Sequence, residues 1–79
     1  LTHAVHASAS GRVRAIDILQ ISEIARRAGA PVDKAAGVDL AARVGDEVRG
    51  GDVLYTIHAS AAVDLEAAAA IADIDTGVR

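Results

Sequence analysis

Apolar positions recur along the chain with two different periods, and the switches between them mark out its elements. Leu1 to Ser8 reads as a weak strand, with Val5 the one strong β-former in an Ala, Ser and His background. Ser10 and Gly11 supply a turn. Arg12 to Ile16 then alternates polar and apolar, the period of a half-buried strand, and the two segments are expected to form a hairpin or adjacent strands. From Asp17 the period lengthens. Ile18, Ile21, Ile24, Ala25 and Ala28 fall within a stripe of roughly 120° at helical spacing, while Gln20, Glu23 and Arg27 point away. Asp17 followed by Gln20 has the form of a helix N-terminal box. Arg26 and Arg27 complement the dipole in the last turn, and Gly29 and Pro31 end the helix.

Val32 to Gly37 reads as a loop, after which Val38, Leu40, Ala42 and Val44 alternate with Asp39, Ala41 and Arg43 as the clearest half-buried strand in the chain. A short internal repeat follows, in which Gly45-Asp46 recurs six residues later as Gly51-Asp52. Each pair marks a structural turn: Gly supplies positive φ, and Asp a side chain that bonds its own backbone. Val53 to Ala59 is rich in β-formers and closes the sheet. Ser60 is the expected cap of a final helix, with Asp64 and Glu66 early in it and Gly77 past its end. Val63, Ala67, Ala70, Ile71 and Ile74 share one face of that helix. Leu65, Ala69 and Ala72 make a second, so it is expected to be covered on two sides. Asp73 and Asp75 oppose the dipole near its C-terminus, with Arg79 to offset them. The order β-β-α-β-β(-β)-α gives an α+β domain over residues 1–79.

Composition narrows what such a domain does. In 79 residues there are nineteen alanines, a single aromatic (Tyr55), and no Cys, Met, Trp or Phe. The core is therefore small and close-packed, without deep pockets, disulfides or thiolate metal ligands. The net charge of -3 and the lack of aromatics among basic residues exclude a nucleic-acid face. The acid is uneven: residues 41–79 carry seven Asp/Glu and three Arg, a net of -4, against +1 for residues 1–40. The longest apolar stretch, Ala67 to Ala72, falls far short of the ~20 residues of a membrane span. Absence of Cys fits a reducing compartment, so the expected location is cytoplasmic. The chain starts at Leu1 rather than Met, which suggests a piece of a longer polypeptide.

Candidate chemistry is thin. His3 and His6 lie on opposite faces of a strand, and His58 would have to approach them to build a metal site. Ser8, Ser10, Ser22 and Ser60 have no nucleophile elbow around them. Gly50-Gly51 is followed by Asp52, which repels phosphate, and Asp46 and Glu47 sit together in a turn. No catalytic, substrate, cofactor or metal residue is assigned. Asp33-Lys34-Ala35 resembles the modified lysine of lipoyl and biotinyl carriers, whose swinging-arm sheets also use Gly-Asp hairpins, and a carrier or small binding module is the alternative reading. That family, however, places the lysine on a tight turn between two strands, whereas Lys34 here follows a helix.

Three stretches carry a more extensive resemblance: Gly11-Arg12-Val13 through Ala15-Ile16-Asp17, then Arg27 through Gly29-Ala30-Pro31, Lys34 and Gly37-Val38-Asp39-Leu40, and finally Val44-Gly45-Asp46 through Gly51-Asp52 to Leu54-Tyr55-Thr56-Ile57-His58-Ala59. Together they resemble the C-terminal domain of thymidine and pyrimidine-nucleoside phosphorylases, in the branch similar to archaeal AMP phosphorylases, from about Ala7 to Ile74. The resemblance implies an α/β-hammerhead fold, a small mixed sheet with a protruding hairpin that carries the Gly-Asp repeat and two covering helices. It also implies a parent enzyme that carries out phosphorolysis of a pyrimidine nucleoside in a cleft between a helical and an α/β domain. Phosphate serves there as co-substrate and no other cofactor is needed. The family's catalytic residues belong to those other domains and none maps here, so the expected partner is the remainder of the parent polypeptide. An isolated copy would expose the second face of the last helix, and a homodimer through it is the expected way of covering it.

Overall fold

The computed structural model describes residues 1–79. Its elements are β1 (Thr2–His6), β2 (Gly11–Arg12), α1 (Ile18–Ala28), β3 (Gly37–Leu40), β4 (Glu47–Val48), β5 (Val53–His58) and α2 (Ala62–Ile74). The α+β class and the expected element order hold. The strands, however, divide between two antiparallel sheets in place of one mixed sheet: β1-β5-β3 and β2-β4.

Helix α1 begins where its local chemistry dictates. The Asp17 carboxylate accepts the Gln20 N–H at 3.1 Å, satisfying one orphan donor of the first turn. The Gln20 side chain does not fold back to the cap; its Nε2 donates to Asp75 O at 2.9 Å and ties α1 to the end of α2. Gly29, at φ 123°, closes the helix with its N–H on the carbonyls of Ala25 and Arg26. Ile21, Ile24 and Ala28 face inward as the periodicity predicts, but Ile18 at the first turn is exposed.

In the larger sheet, β5 is central. Tyr55 and Ile57 point at the helices and are fully buried, and their partners across the ladder are Val5 and Leu40, and His3 and Val38. The opposite face carries Thr2, Ala4, Asp39, Thr56 and His58, and also Leu54, which is buried. The helices pack on each other, α1 over β3 and β5, α2 over β1 and β5.

Three expectations are corrected. Strands β1 and β2 do not pair with each other; both pair with the later segment that contains β4 and β5. The strand expected over Val38 to Val44 ends at Leu40, because the N–H groups of Ala41 and Ala42 both converge on Leu54 O and break the ladder. Ser60 does not cap α2. Ala61 holds the N-cap position with no side-chain bond, and the Ser60 hydroxyl lies beside Asp33, where with the Ala35 N–H it holds that carboxyl below its usual range.

Candidate functional site

The Gly-Asp repeat builds two turns of the same design, Arg43-Val44-Gly45-Asp46 and Arg49-Gly50-Gly51-Asp52. In each the Asp carboxylate accepts the Arg backbone N–H (2.9 and 2.8 Å), and the Asp N–H donates to the Arg carbonyl (3.0 and 2.9 Å). Gly45 and Gly51 take φ of 96° and 94°, where a side chain is strained. Each turn then grips one residue of the N-terminal segment from both sides. The Gly45 N–H and Asp46 carbonyl bond Val13, and the Gly51 N–H and Asp52 carbonyl bond Ala7, all at 2.8 Å. Val13 and Ala7 are buried and, like the turns, six residues apart. Between them lie the β2-β4 pair and a bond from Gly50 N–H to Ser10 Oγ. His6 also joins this seam: its Nδ1–H donates to Gly51 O at 2.9 Å, since a carbonyl can only accept.

The turns are thus backbone clamps, and Asp46 and Asp52 act on amides. Asp46→Ala and Asp52→Ala are each expected to cost about 1 kcal/mol, a loss of roughly 4–8 °C in Tm for a domain this size, measured by circular dichroism melts.

At the C-terminus a second set of bonds closes the chain onto itself. Asp17 N–H bonds Gly77 O, Arg14 N–H bonds Arg79 O, and Arg79 N–H bonds Ala15 O, at 2.7 to 2.9 Å, around an antiparallel bridge between Ile16 and Val78. The Tyr55 hydroxyl donates to Thr76 O at 2.7 Å. The Arg79 guanidinium reaches both Asp75 and Asp17. That guanidinium, with the Gly77 N–H, holds the Asp75 carboxyl below the usual carboxylate range, and Asp75 in turn raises Arg79. The sequence pairs Arg79 with the helix end correctly, but the rest of this clasp joins residues too distant along the chain for periodicity to reveal.

An open groove of about 1160 Å³ runs between β1 with β2 and α2 from Leu65 onward. His3, His6, Arg12, Glu66, Asp73 and Arg79 line it alongside apolar residues that include Leu54, Leu65 and Ile74. Its bases are largely engaged: Arg12 pairs with Glu47, and Arg79 with Asp75 and Asp17. His58 pairs with Thr2 on the polar face of the sheet, away from this groove, and no three His, Asp or Glu side chains converge as metal ligands anywhere in the domain. Lys34 stands exposed on the connection between α1 and β3 rather than at a hairpin tip, which is not the setting of a carrier lysine. Asp17, Asp33, Asp46, Asp52 and Asp75 each accept a backbone N–H. The carboxylates most available by sequence therefore hold loops and caps. No helix is long and apolar enough to cross a membrane.

Comparison with known proteins fits this architecture. The model of the pyrimidine nucleoside phosphorylase C-terminal domain matches residues 12–78. The bifunctional ribose 1,5-bisphosphokinase-thymidine phosphorylase of Azorhizobium caulinodans is 61% identical over 72 residues, which are 91% of this chain and 10% of that protein. An AMP phosphorylase of Pyrococcus furiosus is 49% identical over 71 residues, 90% of this chain and 14% of its own length. One from Natronomonas pharaonis is 49% identical over 78 residues, 99% of this chain and 16% of its own. The chain thus spans only 10 to 16% of the length of these relatives. With a family match from the second strand to the closing clasp, the chain belongs to the pyrimidine nucleoside phosphorylase C-terminal domain family.

Proposed function

We propose that this domain is a non-catalytic part of a thymidine phosphorylase. In the reaction, a phosphate oxygen attacks the anomeric carbon of a pyrimidine nucleoside, the glycosidic C–N bond breaks, and the base leaves with the bonding pair and takes up a proton. The products are free base and (deoxy)ribose 1-phosphate. Catalysis of such a step rests on orienting phosphate and stabilising the departing charge. Those groups belong to the rest of the polypeptide in this reading, with phosphate as the co-substrate and no further cofactor. The observation that carries it is the family match over residues 12–78, together with 61% identity to a bifunctional ribose 1,5-bisphosphokinase-thymidine phosphorylase. The use of the domain's aspartates on its own backbone supports a structural role. A cytoplasmic location belongs to the same reading, and the lack of Cys fits it.

The test is a phosphorolysis assay on the full-length protein and on the 79-residue domain, with thymidine and with AMP as substrates. Turnover of thymidine by the full-length protein and none by the domain is the expected result. Turnover by the domain alone overturns the proposal.

A further inference from the structure

Helix α2 presents two of its four larger aliphatic side chains to the outside. Ala68 and Ala72 are buried against the rest of the domain, with Leu65 and Ile71 packed beside them, while Val63 is 70% and Ile74 88% exposed. At 100° per residue Val63, Ala67, Ala70 and Ile74 fall within roughly 60° of one another, on the side opposite Ala68. A helix apolar on both sides belongs in an interior.

The charges around this stripe are equally one-sided. Asp64 flanks it on one side, Glu66 and Asp73 on the other, and α2 carries no Lys or Arg. Elsewhere in the domain Glu23 pairs with Arg26 and Arg27, Glu47 with Arg12, and five aspartates hold backbone amides. Apart from Asp39, the carboxylates left without a partner inside the domain are these three on α2.

We propose that the outer face of α2 docks on the remainder of the parent polypeptide, onto an apolar surface rimmed by Lys or Arg. Two observations select this occupant. The chain spans 10 to 16% of its relatives' length, so most of the parent lies outside it. A symmetric contact between two copies of α2 would set Asp64, Glu66 and Asp73 against their own kind, which costs free energy, whereas a basic rim satisfies all three. The stripe also runs into the groove, whose wall includes Ala70 and Ile74, so the docked surface extends towards β1. The inference rests on the reading of the chain as part of a longer phosphorylase.

The test uses the full-length protein with Val63→Cys, Ile74→Cys and, as an exposed reference, Val32→Cys, and compares maleimide labelling rates. Val32 is 95% exposed and lies outside α2, on the connection between α1 and β3. Labelling at 63 and 74 at least tenfold slower than at 32, independent of protein concentration, is expected. Equal rates overturn the proposal. Protection that disappears on dilution also overturns it, because a second copy is then the cover. Asp64→Lys, Glu66→Lys and Asp73→Lys together, all at exposed positions, are expected to speed labelling at 74 several-fold; no change refutes the basic rim. Thymidine phosphorolysis is measured on the same samples, so an inactive protein with a protected α2 contradicts only the enzymatic reading, and an active one with a free α2 contradicts only the docking.

Discussion

Tyr55→Ala is expected to destabilise the domain by about 3–5 kcal/mol. Tyr55 is the only aromatic residue, has no exposed surface, and sits at the middle of the central strand with Val5 and Leu40 as its cross-strand partners. Removing so large a side chain from a core costs about 3–5 kcal/mol. It also orphans Thr76 O in the clasp. A domain of this length has roughly 4–12 kcal/mol to lose, so the substitution consumes a large share of it. Tyr55→Phe keeps the ring and deletes only the bond to Thr76, and is expected to cost about 1 kcal/mol. Urea unfolding followed by circular dichroism separates the two variants. An alanine variant as stable as the phenylalanine one refutes the ring's role in the core.

The same residue makes stability fall in alkali. Burial, helped by the nearby Asp75 charge, pushes the Tyr55 hydroxyl up to about 12. The unfolded chain ionises near its ordinary value of 10, so the neutral phenol contributes its full stabilisation below pH 10 and loses it as the pH climbs from 10 to 12. The loss across that window is on the order of 2 kcal/mol. Tyr55→Phe, which has nothing to ionise, lacks this step.

Which features are legible in the sequence follows from how local their causes are. The cap at Asp17, the Gly29 stop and the two Gly-Asp turns rest on bonds within a few residues, and each forms as the sequence predicts. That the turns clamp Val13 and Ala7 is invisible beforehand, because it depends on the register of two segments 32 to 45 residues apart. The strand expected to reach Val44 stops at Leu40 for the same reason, since the carbonyl that breaks its ladder belongs to Leu54. Helix α2 misleads in another way. Apolar residues occupy almost every position, and the face expected to be left exposed, that of Leu65, Ala69 and Ala72, is the one whose Ala72 is buried and whose Leu65 packs on the core. Packing chooses: small Ala68 and Ala72 permit close approach to the sheet and α1, and the face with Val63 and Ile74 turns outward. The sequence did mark this helix as one with two surfaces to cover, which is the feature that bears most on how the domain joins its parent.

Glycine substitutions at four positions separate backbone strain from crowding. Gly77, at the heart of the clasp, has φ 82°, and a Cβ there meets the Gln20 side chain at 3.2 and 3.3 Å and Ile21 Cδ1 at 3.3 Å. Gly77→Ala therefore combines about 1–2 kcal/mol of left-handed strain with displacement of α1's first turns. It also disturbs the register that brings Gly77 O to the Asp17 amide and Arg79 to its two carboxylates. An overall loss of about 3 kcal/mol is expected, on the order of 12–24 °C in Tm. Gly45→Ala and Gly51→Ala encounter open space at similar φ, so only the strain of about 1–2 kcal/mol applies. Gly11 has neither positive φ nor a neighbour within 4 Å, and Gly11→Ala is expected to be neutral or slightly stabilising through the unfolded chain. Thermal melts of the four variants should rank Gly77 well below Gly45 and Gly51, and those below Gly11. If Gly77→Ala melts with Gly45→Ala, the close fit of the clasp on α1 contributes nothing, and the chain end is merely resting there. If it melts far lower, the last five residues are part of the core's closure, and the short segment after α2 determines how firmly both helices are held on the sheet.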